Sequence, residues 1–264
     1  MDDTGQFDIA IIGAGIAGSA LATALSGNNL SIALVEAQAL DRPELPTALD
    51  LQHFDPRVSA LTPRSRLLLE NLDAWAAIAA YRQCAYRHMT VWDAEGTGCI
   101  EFDSADVNAP ALGHIVENRA IVSALLARVA AAPDITTFGG ARLRESERTT
   151  GGGVRIQLDD GAALKVGLLV AADGAQSRVR EMMGFRTREW DYGHRALACT
   201  VQVERAHQAT AWQRFLPTGP LALLPLPGTT DSHFCSIVWS LQEDRVDAIL
   251  ALDDGDFCQQ LGEA

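Results

Sequence analysis

Positive charge is scarce in this chain of 264 residues: 21 Lys and Arg stand against 34 Asp and Glu, a net charge of −13. Nucleic acid needs a basic footprint, so a nucleic-acid partner is excluded, and a purely electrostatic hold on an anionic membrane is disfavoured. Paired cysteines are also missing. Cys84, Cys99, Cys199, Cys235 and Cys258 are odd in number and scattered, with no Cys-x-x-Cys. That pattern excludes a disulfide framework or a zinc site, leaves no metal expected, and points to a reducing cytosol. No run is long and apolar enough for a membrane span: the best, Ile9 to Leu25, is interrupted by three glycines. The N-terminus, Met1-Asp2-Asp3-Thr4, is acidic where a secretory leader would be basic. Internal repeats and low-complexity tracts are absent.

What remains is an ordinary globular composition, 48% hydrophobic and 21% charged, in a chain long enough for one large domain or two small ones. Phe7–Ile12 and Ser31–Val35 read as buried strands joined by a helix over Ala14–Leu25, a βαβ unit that implies a parallel sheet. A long polar loop, "EAQALDRPELPTALDLQHFDPR", follows where such a unit usually has only a few residues. One helix is expected over Pro63–Ile78, with Leu67, Leu68, Leu72 and Trp75 at helical spacing. A strand pair is expected over His88–Phe102, turned at Glu95-Gly96-Thr97-Gly98, and a helix over Asn118–Ala131, stopped by Pro133. Val154–Leu158 and Ala163–Ala172 read as a hairpin turned at Asp159-Asp160-Gly161. From Arg195 on, strands at Ala196–Val203, Ala211–Phe215, Leu221–Leu226 and Phe234–Trp239 suggest an antiparallel sheet in a second domain.

"IIGAGIAGSA" sets Gly13, Gly15 and Gly18 in the spacing G-x-G-x-x-G between a strand and a helix. Gly13 permits the tight turn, Gly15 admits a pyrophosphate to the backbone beside Ala14, and Gly18 lets helix and strand pack closely. The helix N-terminus offers free N–H groups to phosphate. Glu36, 18 residues past Gly18 at the end of the second strand, is placed to accept ribose hydroxyls. These residues predict a bound dinucleotide but do not separate NAD from FAD. Two further arginines and an aspartate stand out. Arg57, in "DPRVSAL", leaves the long loop; it also reads as a surface ion pair with Asp55 or Glu36. Arg119, in "HIVENRAIVSALL", opens a helix after an apolar strand, where a cation is mildly disfavoured without an anion nearby. Asp173, in "AADGAQSRVR", ends a buried strand, and by itself would serve as a helix N-cap.

Together these segments resemble the FAD-dependent aromatic hydroxylases. The resemblance implies that Arg57 looks toward the cofactor phosphates and the incoming nicotinamide, and that Arg119 contacts FAD. It also implies that the Asp173-Gly174 pair serves FAD and NAD(P)H together, with Arg180 tying its loop to the following helix. "LGHIVEN", "WDYGHRAL", "GPLALLPL" and "HFCSIVWS" are similar to the ubiquinone-biosynthesis hydroxylases, most of all to the 2-polyprenylphenol hydroxylase branch. The fold so implied is α/β: a Rossmann-like FAD-binding domain of the p-hydroxybenzoate-hydroxylase type (1–80 and 104–183) with an antiparallel β-rich substrate domain (84–103 and 184–264).

The activity implied is hydroxylation of a polyprenylphenol ring. NAD(P)H reduces the flavin, O2 adds at its C4a carbon, and the resulting hydroperoxide delivers one oxygen to the ring. Implied partners are the prenylated phenol and other ubiquinone-biosynthesis proteins, at the cytoplasmic side or peripheral to the inner membrane. The segment Pro220–Pro225 would then run near the flavin ring. No catalytic base is assigned. His194 and Tyr192 are candidates for touching the phenol oxygen, while Trp190, Trp212 and Trp239 read as core.

The family's third motif, a Gly-Asp pair after a buried strand, has no counterpart in "DDGDFCQQLGEA". The expectation is therefore a C-terminally truncated chain whose own flavin retention and activity are open. Two other functions use the same cradle, an NAD-dependent dehydrogenase and a non-catalytic flavin-binding or scaffold subunit. The first would need a His, Tyr-Lys or Cys constellation that the chain lacks; the second has no need of Asp173 or Arg57.

Overall fold

A computed structural model describes residues 4–264, so the acidic start Met1-Asp2-Asp3 lies outside the described residues. The chain divides into two compact units, one of residues 1–44, 68–78 and 119–188, the other of 45–67, 79–118 and 189–264. Segments 45–67 and 79–118 fall in the second unit, where their strands pair with each other.

The first unit is Rossmann-like. Strands β1 (Thr4–Ile12) and β2 (Ile32–Glu36) flank helix α1 (Ile16–Leu25), as the apolar runs predict. β1 lies between β2 and β11 (Ala163–Ala171), parallel to each, and β2 is parallel to β8 (Ile135–Gly139). Two antiparallel strands, β10 (Val154–Leu158) and β9 (Leu143–Arg148), complete the order β8-β2-β1-β11-β10-β9. Alternation along β1 explains the unbroken hydrophobicity. Ile9 and Ile11 face a cluster with Leu34, Leu126 and Val129 from helix α4 (Asn118–Ala131). Ala10 and Ile12 face the opposite cluster with Ile156, Leu164 and Val179. A sheet covered on both faces needs apolar residues at every position. The β10–β11 turn uses Gly161 at φ 93°, with the Asp160 carboxylate accepting the Ala162 N–H.

The predicted helix over Pro63–Ile78 is instead two, α2 (Pro63–Asn71) and α3 (Trp75–Tyr81). Asp73 turns left-handed at φ 53°, the Ala74 N–H donates to the Leu69 carbonyl, and the Asp73 N–H donates to that of Glu70. This is a Schellman stop with aspartate where glycine is usual, which is why the sequence hid it. Leu67 and Leu68 are exposed, whereas Leu72 is buried.

The second unit holds two sheets. β3 (Val58–Leu61), β7 (Gly113–Glu117) and β4 (Cys84–Tyr86) are antiparallel. The larger sheet runs β12 (His194–Val203), β15 (His233–Gln242), β14 (Gly219–Leu226), β13 (Thr210–Leu216), β5 (His88–Asp93) and β6 (Cys99–Asp103). β12 to β15 are antiparallel to their neighbours in that set, as expected, but β13 pairs with β5 in parallel, so the sheet is mixed. One face packs Leu221, Ile237 and Trp239 against helices α6 (Glu243–Leu250) and α7 (Asp254–Glu263). The other face packs Leu226 and Phe234 on Phe54 and Ile115, which ties the small sheet to the large one. The five cysteines are free. Among the described residues no helix is long and apolar enough to cross a membrane, and no cluster of three or more His, Cys, Asp or Glu could hold a metal ion.

Candidate functional site

Where β1 ends, Gly13 takes φ 102° and its N–H donates to the Val35 carbonyl. A Cβ at Gly13 would overlap the Ala172 carbonyl, and one at Gly18 would overlap the Gly13 carbonyl oxygen. Side chains are therefore excluded at both positions by backbone alone. Gly15 differs: a Cβ there meets nothing within 4 Å, so what its hydrogen preserves is open space. Gly15 is also the N-cap of α1 and makes no side-chain cap, which leaves the first N–H groups of the helix to an outside acceptor.

That space is a cavity of about 450 Å³ wholly within the first unit, lined by Gly13, Gly15, Glu36, Asp173, Arg142 and Arg178 among others. It falls in the size range of small-molecule and cofactor sites. Glu36 reaches back to the glycine turn: Oε2 accepts the Ala14 N–H at 2.7 Å and Oε1 the Gln38 N–H at 3.1 Å. A carboxylate has about four lone-pair sites, so hydroxyl donors can still be accepted. Asp173 sits on the loop after β11. Its Oδ2 accepts the N–H groups of Arg178 (2.8 Å) and Val179 (3.3 Å) at the start of helix α5 (Arg178–Met182). Its Oδ1 is buried and has no hydrogen-bond partner among the described residues. The N-cap of α5 is Ser177, not Asp173. Arg180 donates to the Ala175 carbonyl at 2.6 Å and ties the loop to the helix.

A second cavity, of about 670 Å³, lies in the same unit and is lined by Asp173, Gly174, Leu168, Arg148, Arg180 and Phe185. Asp173 and Gly174 thus line both cavities. The features fit a dinucleotide: glycine-enforced approach, open helix N–H groups, an acid for sugar hydroxyls, and two arginines for phosphate charge.

The structure gathers Gly13, Gly15, Glu36 and Asp173 around one cavity, with Ala14 bonded to Glu36 and Gly18 packed behind the turn. Arg119 opens α4 in the same unit but is not among the lining residues. Arg57 belongs to the second unit; its guanidinium is exposed and has no partner among the described residues. Arg142 and Arg178 were missed as site residues. Arg178 stood inside the quoted Asp-Gly stretch, but Arg142 follows an unremarkable Gly139-Gly140 and carried no local signal.

One core assignment is corrected. Trp190 is 63% exposed, packed edge-on at 6.1 Å against Tyr192, itself 77% exposed. Residues 185–192 have no regular structure, so no strand alternation turns the indole inward. Trp239 is buried and Trp212 partly so, edge-on to Trp92. His194 is exposed, with Nδ1 2.9 Å from the Tyr192 carbonyl oxygen.

Comparison with known proteins matches residues 6–250 to a family described as an FAD binding domain. The "Ubiquinone biosynthesis monooxygenase COQ6, mitochondrial" of Xenopus tropicalis is 33% identical over 273 residues, spanning 98% of this chain and 56% of the relative. The "3-demethoxyubiquinol 3-hydroxylase" of Escherichia coli is 33% identical over 232 residues, 88% of this chain and 56% of that protein. The chain thus spans little more than half the length of these relatives. Among solved structures, Pseudomonas aeruginosa PqsL in complex with 2-aminobenzoylacetate superposes with a TM-score of 0.78 at 17% identity, covering 97% of this chain and 66% of that one. The p-nitrophenol 4-monooxygenase PnpA of Pseudomonas putida gives 0.72 at 14%, covering 98% and 62%.

Proposed function

The chain belongs to the FAD-binding domain family, and from that premise we propose that it works in a flavin-dependent monooxygenase that hydroxylates the ring of a polyprenylphenol in ubiquinone biosynthesis. The observation that carries this reading is the single cavity bounded by Gly13, Gly15, Glu36 and Asp173. The names of its relatives, a ubiquinone-biosynthesis monooxygenase and a 3-demethoxyubiquinol 3-hydroxylase, supply the reaction class and the direction of the pathway.

In this reading Gly15 and the α1 N-terminus take the diphosphate of FAD, and Glu36 accepts the adenosine ribose hydroxyls. Arg142 and Arg178, which line the same cavity, add charge to the phosphates. Bound FAD would supply the redox and oxygen chemistry; the protein's part is binding, orientation and exclusion of water. The balance is NAD(P)H, H⁺, O2 and an aromatic C–H giving NAD(P)⁺, water and an aromatic C–OH. Because Asp173 and Gly174 border two cavities, the pair has the geometry to face FAD on one side and NAD(P)H on the other. The phenol's place is on the β-rich second unit, and a peripheral site at the inner membrane would meet its prenyl tail.

The test is to supply the protein with FAD, NAD(P)H, a short-chain prenylphenol and ¹⁸O2. The reading expects substrate-stimulated NAD(P)H oxidation and a product carrying one ¹⁸O atom. Flavin-loaded protein that yields neither would overturn it in favour of a scaffold subunit.

A further inference from the structure

We propose that the neighbouring hydroxyls of Thr200 and Ser236, on one face of the large sheet of the second unit, receive the phenol oxygen of the substrate. The proposal rests on the phenol hydroxylation read above and names the side chains that hold that ring.

Hydroxyls inside a protein almost always find a partner, because an unsatisfied one has lost water for nothing. Buried Ser19, Ser123, Ser177 and Thr210 follow that rule, each with a hydrogen bond at its hydroxyl. Two hydroxyls break it. Ser236 is fully buried and its Oγ has no partner among the described residues; Thr200 Oγ1 is equally shielded and equally alone. The two are neighbours. Thr200 of β12 and Ser236 of β15 are directly opposed in the register, with Leu224 of β14 next in line.

Alternation decides which face they take. Leu221, Ile237 and Trp239 point to helices α6 and α7, so Thr200, Ser236 and Leu224 lie on the other face, with Phe234 and Leu226. On that face β12, β13, β14 and β15 carry no Asp, Glu, Lys or Arg. An anionic ligand finds no countercharge there. A neutral ring with one hydroxyl fits instead, since a phenol O–H donates to one side-chain oxygen and accepts from the other.

One side of the pair is closed. Phe234, the next residue on that face of β15, packs on Phe54 with ring centroids 5.2 Å apart. Phe54 follows the 3-10 turn Leu51–His53, in a segment held by Arg82, whose guanidinium donates to the carbonyls of Pro46, Ala48 and His53. Arg82 Nε in turn lies 3.1 Å from Glu117 Oε1, with both side chains buried. The other side leads to the next row on the face, where Ala198 is exposed and Val238 and Ala222 are half-buried. Two alanines and a valine make a shallow apolar floor on which a ring can lie flat. Rotation about χ1 turns the Thr200 and Ser236 oxygens toward it. His194, the sequence-based candidate, shares the face but stands six residues from Thr200, about 20 Å along β12, too far to join the contact.

The experiment uses Thr200→Val and Ser236→Ala, which remove the oxygens with little change of shape. The probes are 2-prenylphenol and its O-methyl ether, which cannot donate a hydrogen bond. Binding is measured by equilibrium dialysis on flavin-loaded protein, with probe-stimulated NAD(P)H oxidation giving KM apart from kcat and a urea midpoint for each variant. The pair predicts phenol binding about five- to tenfold weaker in either variant, as for one lost hydrogen bond, and ether binding changed less than about twofold. Urea midpoints should hold level or rise, because an unsatisfied group has gone. Phenol binding unchanged in both variants overturns the proposal. So do lower urea midpoints with equal losses for both probes, which would make the hydroxyls part of the sheet's own framework. A parent protein that takes up FAD but neither binds nor responds to 2-prenylphenol overturns the hydroxylation reading and the pair with it. A responding parent whose variants treat phenol and ether alike overturns the pair alone.

Discussion

In the first unit the 13–18 loop takes its shape from side chains that are missing, while in the second unit the 45–57 segment takes its shape from two charges that are buried. Gly18 lets the helix backbone meet that of Gly13, five residues away, while Gly13 leaves room for the distant Ala172 carbonyl; the glycine spacing that announces both sits within six residues. Arg82, between α3 and β4, gathers carbonyls from residues 29 to 36 positions away in sequence, and its partner Glu117 lies at the end of β7. A loop shaped by local sterics is cheap to specify and easy to read. A loop shaped by long-range ion pairing depends on the whole fold around it, and each partner is costly to remove.

That contrast sets the ranking of mutational effects. The largest loss is expected in the second unit. Glu117→Leu would leave the Arg82 guanidinium buried without its carboxylate, at a cost of about 3–5 kcal/mol, measurable as a lower urea midpoint. Next comes the first unit, where Gly18→Ala forces a methyl into the Gly13 carbonyl and should cost about 1–3 kcal/mol. If Gly18→Ala proves the more damaging of the two, the contrast is inverted. The smallest effect carries no stability change. Burial pushes the Cys84 thiol up to about 11 and the Cys235 thiol up to about 12. At pH 8 a thiol reagent should therefore titrate exposed Cys99 and Cys258 quickly, and Cys84 and Cys235 only on unfolding. Rapid labelling of Cys235 in native protein would show that the sheet of the second unit opens far more readily than its packing implies.

Legibility followed the same division. The helix at Asn118–Ala131 and the hairpin at Val154–Ala171 were readable because caps, turns and periodicity are local. The βαβ unit and its glycine turn were readable for that reason too. The break at Asp73 was not, since aspartate rarely takes the left-handed stop. The parallel pairing of β13 with β5 joins strands more than a hundred residues apart, and no pattern within either strand announces it. Trp190 looked like core by residue type, yet it sits in an irregular stretch with nothing to turn it inward. Arg82, in "YRQCAYR", and Glu117, in "LGHIVEN", carry no local sign that they are buried together. Arg142 joins the cavity only through the fold.

The account stands or falls on whether the cavity beside Gly15 holds the adenosine diphosphate half of FAD. An equilibrium titration of FAD into the protein and into Gly15→Val, with ADP-ribose as competitor, tests this directly, because Gly15 keeps an ordinary φ of −65° and a side chain there meets only open space. The expected result is FAD binding displaced by ADP-ribose in the parent, and an affinity lowered at least about tenfold in a Gly15→Val protein that melts at the parent's temperature. Unchanged FAD binding in Gly15→Val, or no competition by ADP-ribose, would contradict it.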